Sequence, residues 1–171
     1  MTYEFGAKEI VKGSGYISRR CCGSTEIELG TVYAAEMGIT LLSDIDRYTL
    51  EDAQVTLVFH LVLADGSVED VPMGVFEVSE ANRLAKCLEL KAYDFMLRFD
   101  KSFNGFETVG TAYDFIALCC KRCKMEFANK RAEIDAMPNG GVTLSVYTEN
   151  DIETCRDVLF YVGQVLGGFF C

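Results

Sequence analysis

Gln54-Val55-Thr56-Leu57-Val58-Phe59-His60-Leu61-Val62-Leu63 leads directly into Ala64-Asp65-Gly66-Ser67. The run is apolar at odd and even positions alike. That pattern predicts a strand buried on both faces, since successive side chains of a strand point to opposite sides. Asp-Gly tolerates the positive φ of a tight turn, so Asp65-Gly66 predicts a hairpin. The return strand is expected over 68–78. Pro72 lacks the N–H that a ladder needs, and Gly74 weakens a strand interior unless the backbone bends. Together they place an edge or a bulge at this point.

Working outward from the hairpin, short extended runs fall at Gly15 to Cys22 and Ile27 to Leu42. Leu84, Leu88, Leu90 and Ala92 share one face of a further strand, broken near its start by Lys86. Antiparallel strands with tight turns and no long helix between them predict a small barrel or sandwich. The stretch Lys91 to Lys101 marks the junction with a different architecture, because helical signals begin only after Gly105.

Thr111 and Asp114 have the spacing of a capping box. Ala112, Phe115, Ile116, Cys119 and Cys123 follow at helical period. Pro138 to Gly141 reads as a turn, and Val142, Leu144 and Val146 as a short strand. Thr148 to Asp151 is expected to open a second helix, with Ile152, Cys155, Leu159, Val162 and Leu166 as its apolar stripe. Gly167-Gly168 should stop it. The predicted class is α+β: an antiparallel β-barrel or sandwich over 1–104, then a smaller α/β subdomain with two helices over 105–171. The apolar ending Phe169-Phe170-Cys171 reads as the front part of a longer chain.

At 171 residues and 50% apolar composition, the chain can bury a real core. Its 26 acidic against 16 basic residues give a formal charge of −10. That balance argues against nucleic acid and anionic membrane surfaces, both of which attract Lys and Arg. The N-terminus lacks the apolar core of a signal peptide, and no stretch has the ~18 apolar residues of a membrane span. The expected compartment is the cytoplasm. The eight cysteines then read as reduced, buried apolar residues rather than disulfides.

We assign no catalytic, cofactor-binding or metal-ligating residue from the sequence. Cys119, Cys120 and Cys123 offer one Cys-x-x-Cys pair where structural zinc wants four ligands. That pair lies towards the helix C-terminus, away from the end that activates thiols. Cys21-Cys22 would point to opposite strand faces. A cysteine hydrolase or peptidase would need His60 as its base, and His60 sits in the most apolar run, where a core histidine is expected. Asp44 and Asp46 lack the other oxygen ligands of a calcium loop. Glu26, Glu28, Glu69, Asp70, Glu149 and Asp151 read as solvated, and Arg156-Asp157 as surface ion-pair partners. A ligand-binding barrel is a further alternative, which would require a cavity.

A series of blocks carries a family resemblance: Ser18 to Cys22, Ile27 to Tyr33, Asp46 to Leu50, Val71 to Val78, Lys91 to Asp94, Phe99 to Lys101 and Thr154 to Leu159. In this order they resemble the N-terminal region of tail proteins of long-tailed phages and prophages, often labelled minor structural or tail-endopeptidase proteins and similar to baseplate hubs. The resemblance implies a β-barrel hub domain followed by a mixed α/β domain, with a related barrel in the type VI secretion spike. It implies a homotrimer when full length, contacts to tail-tube and distal tail proteins, and location in the virion tail after assembly in the bacterial cytoplasm. It implies no enzyme here; any lytic activity would belong to downstream domains. The strand edge bearing Pro72 would then suit subunit contact.

Overall fold

The structure, a computed structural model, describes residues 2–21, 23, 26–103, 109–147 and 152–170. The chain is α+β and divides into two compact units. The first contains Met1–Arg19 and Ala35–Phe95, the second Arg20–Ala34 and Met96–Cys171. The boundary thus falls earlier than the expected 104/105 position, within the short 3-10 helix Phe95–Asp100. Residues 20–34 also leave the sheet unit for the second one.

The first unit is a strongly curled, five-stranded antiparallel half-barrel. Its strands are β1 (Tyr16–Ser18), β2 (Glu36–Leu42), β3 (Gln54–Val62), β4 (Val68–Leu84) and β5 (Cys87–Tyr93), in the order β1-β2-β5-β4-β3. Alternation decides the core. Met37, Ile39 and Leu41 of β2, Phe76 and Val78 of β4, and Leu88, Leu90 and Ala92 of β5 are all buried. The expected Leu88-Leu90-Ala92 face is therefore present. Leu84 is not on it: it ends β4, is exposed, and pairs with Cys87 across a tight turn. Ala85 takes the left-handed conformation there, with φ 54°, so Lys86 belongs to a turn rather than to a strand.

The Asp65-Gly66 hairpin forms as expected. Asp65 accepts through Oδ1 from Ser67 N at 2.9 Å and Ser67 Oγ at 2.6 Å, while Gly66 takes φ 83°. The bulge also forms: Leu57 pairs with Gly74 but Val58 with Pro72, leaving Met73 as the extra residue. Gly74 has φ 133°, which a side chain would resist.

Each of the two N-terminal stretches contains a short strand: Tyr16–Ser18 within Gly15 to Cys22, and Glu36–Leu42 within Ile27 to Leu42. The segment between them is held elsewhere, by groups of the second unit.

That second unit contains α1 (Ala112–Cys123), the one-turn α2 (Arg131–Asp135), α3 (Cys155–Leu166) and a two-stranded ribbon of β6 (Val109–Gly110) and β7 (Leu144–Ser145). The expected strand at Val142 to Val146 shortens to β7. Helix α1 begins where the sequence predicts: Asp114 Oδ2 accepts from Thr111 N and from Thr111 Oγ1, each at 2.8 Å. The expected cap at 148–151 lies outside the described residues. Helix α3 starts instead at Cys155, because Thr154 and Asp157 repeat the same spacing and Asp157 Oδ2 accepts from Thr154 N at 2.8 Å. Ile152 precedes the helix. Gly167, with φ 71°, ends it, and Gly168 N donates back to Gly163 O at 2.9 Å.

Phe115, Ile116 and Cys119 of α1 pack with Cys155, Val158, Leu159 and Val162 of α3 in one core. Val32 joins them, and Phe170 packs against the same core. The segment 20–34 reaches this core because Gly30 lies against α3. A Cβ on Gly163 would stand 2.8 Å from Gly30 Cα, and one on Gly30 would stand 2.2 Å from Phe160 O.

Candidate interaction surface

The longest departure from expectation lies in β3. Its apolar run is exposed, not buried on both faces. Strand β5 covers β4 only from Glu77 to Leu84. From Val68 to the bulge, β4 has β3 as its one strand neighbour among the described residues. The two strands therefore continue past the sheet as a two-stranded ribbon with neither face covered among the described residues. Phe59 is 56% exposed and Val62 68%, with Val58, Leu61, Leu63 and Val68 also in the open.

The register sorts these side chains. Val55 and Leu57 pack on the core of the first unit. Phe59, Leu61 and Leu63 continue that same odd-numbered face beyond the core, with Val71 opposite Phe59. The even face carries Val58, His60 and Val62. His60 is thus not a core histidine. Its side chain is 67% exposed, and its Nδ1 meets Asp70 Oδ1 at 2.5 Å across the strand pair.

The ribbon's two edges differ. On the β4 side, Pro72 has no N–H to offer, the Met73 bulge breaks the ladder, and Arg19 Nη2 donates to Met73 O. Such devices blunt an edge. On the β3 side, no strand pairs with the outer edge among the described residues, and Gln54–Val62 contains no proline, lysine or bulge of its own. The edge expected at Pro72 is the guarded one.

The thiols form a second cluster, inside the other unit. Cys119, Cys120, Cys123 and Cys155 are buried free thiols, as the core reading requires; Cys21 is exposed and Cys87 half-buried, against that reading. Cys22 and Cys171 lie outside the described residues. Cys119 Sγ donates to Cys155 O at 3.8 Å. A hydrogen bond with Cys155, and then burial, hold the Cys119 thiol well above its ordinary value. Burial pushes Cys120 up and lifts Cys123 to about 12. Cys155 moves the other way, drawn below the usual thiol range by the hydrogen bond from Cys119 against the opposing effect of burial. It is the first residue of α3, where the helix N-terminus also favours a thiolate. Among the described residues, no group of three or more His, Cys, Asp or Glu side chains is arranged to hold a metal ion.

The carboxylates have local duties. Asp46 caps the 3-10 turn Arg47–Leu50, its Oδ1 accepting from Tyr48 N at 3.1 Å. Asp44, Glu26, Glu28, Glu69 and Asp70 are exposed, while Glu149 and Asp151 fall outside the described residues. Arg156 forms the expected ion pair, with Asp100, whose side chain is exposed, and reaches two backbone carbonyls besides. Its Nη1 donates to Val32 O, its Nη2 to Met96 O at 2.8 Å, and its Nε to Asp100 Oδ1. Sequence reasoning missed this clamp; nothing local distinguishes it from a solvated arginine.

Among the described residues no helix is long and apolar enough to cross a membrane. No family model matches the chain, and no curated protein or solved structure does so either.

Proposed function

We propose that this chain is a structural component of a phage or prophage tail: a hub-like protein at the tail tip or baseplate that links the tail tube to distal parts. The observation that carries the reading is the uncovered ribbon of β3 and β4. A contiguous apolar surface of this kind, beside an unguarded strand edge, suits a protein partner. The curled antiparallel sheet followed by an α/β unit is also the fold that the resemblance implies. The buried thiols are consistent with a scaffold in which cysteine fills the core.

On this reading the partners are further copies of the chain, as a trimer when full length, together with tail-tube and distal tail proteins. The test is to purify tail particles from an induced lysogen that encodes the chain. Mass spectrometry should find it in the particles, antibody should decorate the tail tip, and deletion of the gene should leave tubes without tips. Particles that lack the chain would overturn the proposal.

A further inference from the structure

We propose that two copies of this chain join edge to edge through β3, antiparallel, across a two-fold axis perpendicular to the sheet and passing near Val58. The inference stands on the ribbon and does not depend on the tail reading.

The first argument is the asymmetry of the edges. An open edge exposes a row of unpaired N–H and C=O groups, and proteins normally blunt it. Here the β4 side is blunted by Pro72, the Met73 bulge and Arg19, while the β3 side is left flat. Guarding one edge of a ribbon and not the other leaves one place for an added strand. The edge of β1 in another copy does not fit, because its three residues would leave most of the nine in β3 unpaired. A second β3 matches the length.

The second argument is charge. Each copy carries a net charge of −10, so two copies repel unless they meet on a neutral strip. Strand β3 contains no Asp, Glu, Lys or Arg. The ribbon's acids, Asp65, Glu69 and Asp70, lie on the turn and on β4. A two-fold axis of this kind sets odd residues against odd and even against even. Centred at Val58, it places Leu57 opposite Phe59 of the other copy, Val55 opposite Leu61, and Thr56 opposite His60. The odd-numbered face then forms a continuous apolar stripe across both copies, and no like charges face each other.

The third argument is area. Val58, Phe59, Leu61, Val62, Leu63 and Val68 are all exposed. Spread over both faces of the ribbon, they leave roughly 600 Å² of apolar surface, near the upper end for a monomer, and pairing at the β3 edge brings the β3 side chains among them into cross-strand contact with those of the other copy.

Sedimentation velocity on the 171-residue chain at micromolar concentration should give twice the 19.0 kDa chain mass. Val58→Lys and Val58→Glu each set like charges against each other at the axis. Val58 is exposed and outside the core, so both variants should keep the wild-type circular dichroism yet sediment as monomers. Mixed in equal amounts, they should restore the dimer. Hydrogen exchange should show the outward-facing β3 amides, those not bonded to β4, protected in the wild type and in the mixture, and unprotected in either variant alone. A monomeric wild type, a dimer that survives both variants, or a mixture that stays monomeric would each overturn the pairing. A wild-type trimer would overturn it while favouring the tail reading, so the two failures can be told apart.

Discussion

The guanidinium of Arg156 donates to the backbone oxygen of Val32, 124 residues earlier in the chain. The same side chain reaches Met96 O and the Asp100 carboxylate. One residue at the start of α3 therefore fixes both the crossing segment 20–34 and the 3-10 turn that opens the second unit. Arg156→Ala should destabilise that unit by about 2–3 kcal/mol, since it leaves two half-buried carbonyls without their charged donor. Arg156→Lys should rescue little, because an ammonium lacks the planar fork that serves three oxygens at once. Urea unfolding of the three proteins checks this; a lysine variant as stable as wild type would contradict it.

Gly163 offers a test in which two effects have opposite signs. Alanine in a helix interior is favoured over glycine by about 1 kcal/mol. The new Cβ would, however, lie 2.8 Å from Gly30 Cα, a backbone atom that cannot swing away. Packing should win, with Gly163→Ala losing about 1–2 kcal/mol net. A gain in melting temperature would show that residues 20–34 do not press on α3.

Acid should reach the α1 cap only at low pH. The Thr111 backbone N–H, then Arg131 and the Thr111 hydroxyl, hold the Asp114 carboxyl down to about 2 from its ordinary 3.8. A depressed folded-state value contributes stability above the ordinary value, and this is lost as pH falls toward 2. Asp114→Asn should therefore cost about 1 kcal/mol at neutral pH, as loss of a helix cap does. Near pH 2 the variant and wild type should converge. Urea midpoints measured at several pH values would show this; a constant difference at every pH would rule out the carboxylate as the cause.

Thiol labelling separates core cysteines from surface ones. In the native protein, iodoacetamide should modify Cys21 quickly and spare Cys119, Cys120, Cys123 and Cys155, which are buried. Unfolding should release all four. Peptide mapping after a short pulse reads this directly. Rapid native modification of Cys155 would mean that α3 opens far more easily than its packing against α1 implies.

Two phenylalanines test the burial of the hairpin. Phe76 is 1% exposed in the core of the first unit, and Phe59 sits on the open ribbon. Phe76→Ala should cost about 3–5 kcal/mol. Phe59→Ser should stay within about 0.5 kcal/mol when measured dilute enough that copies are apart. Comparable losses at the two sites would mean that the ribbon is covered within a single chain.

Local signals were legible wherever a few neighbouring residues decide the outcome. Asp65-Gly66 makes its turn because the required φ is open to glycine and the Asp side chain closes the loop. Thr111 and Asp114 start α1, and Gly167 stops α3, by hydrogen bonds that span a few residues. The start of α3 is legible too, in Thr154 and Asp157, although Thr148 and Asp151 offer the same spacing six residues earlier. The bulge beside Pro72 follows from the chemistry of that one ring.

Burial of the amphipathic stripes was legible, but that of the hairpin was not, because it depends on what lies above a face, and those neighbours come from distant parts of the chain. The run Gln54–Leu63 carries the pattern of a strand covered on both sides. Its strand is nonetheless an edge, since β5 ends its pairing with β4 at Glu77 and no further strand pairs with β3 among the described residues. His60 faces water for the same reason. The sequence by itself set the strands, turns and caps, through torsional preference and short hydrogen bonds. Only tertiary structure decided which apolar face would be filled from within and which left open, and drew residues 20–34 against α3, because both outcomes rest on contacts between segments far apart in the chain.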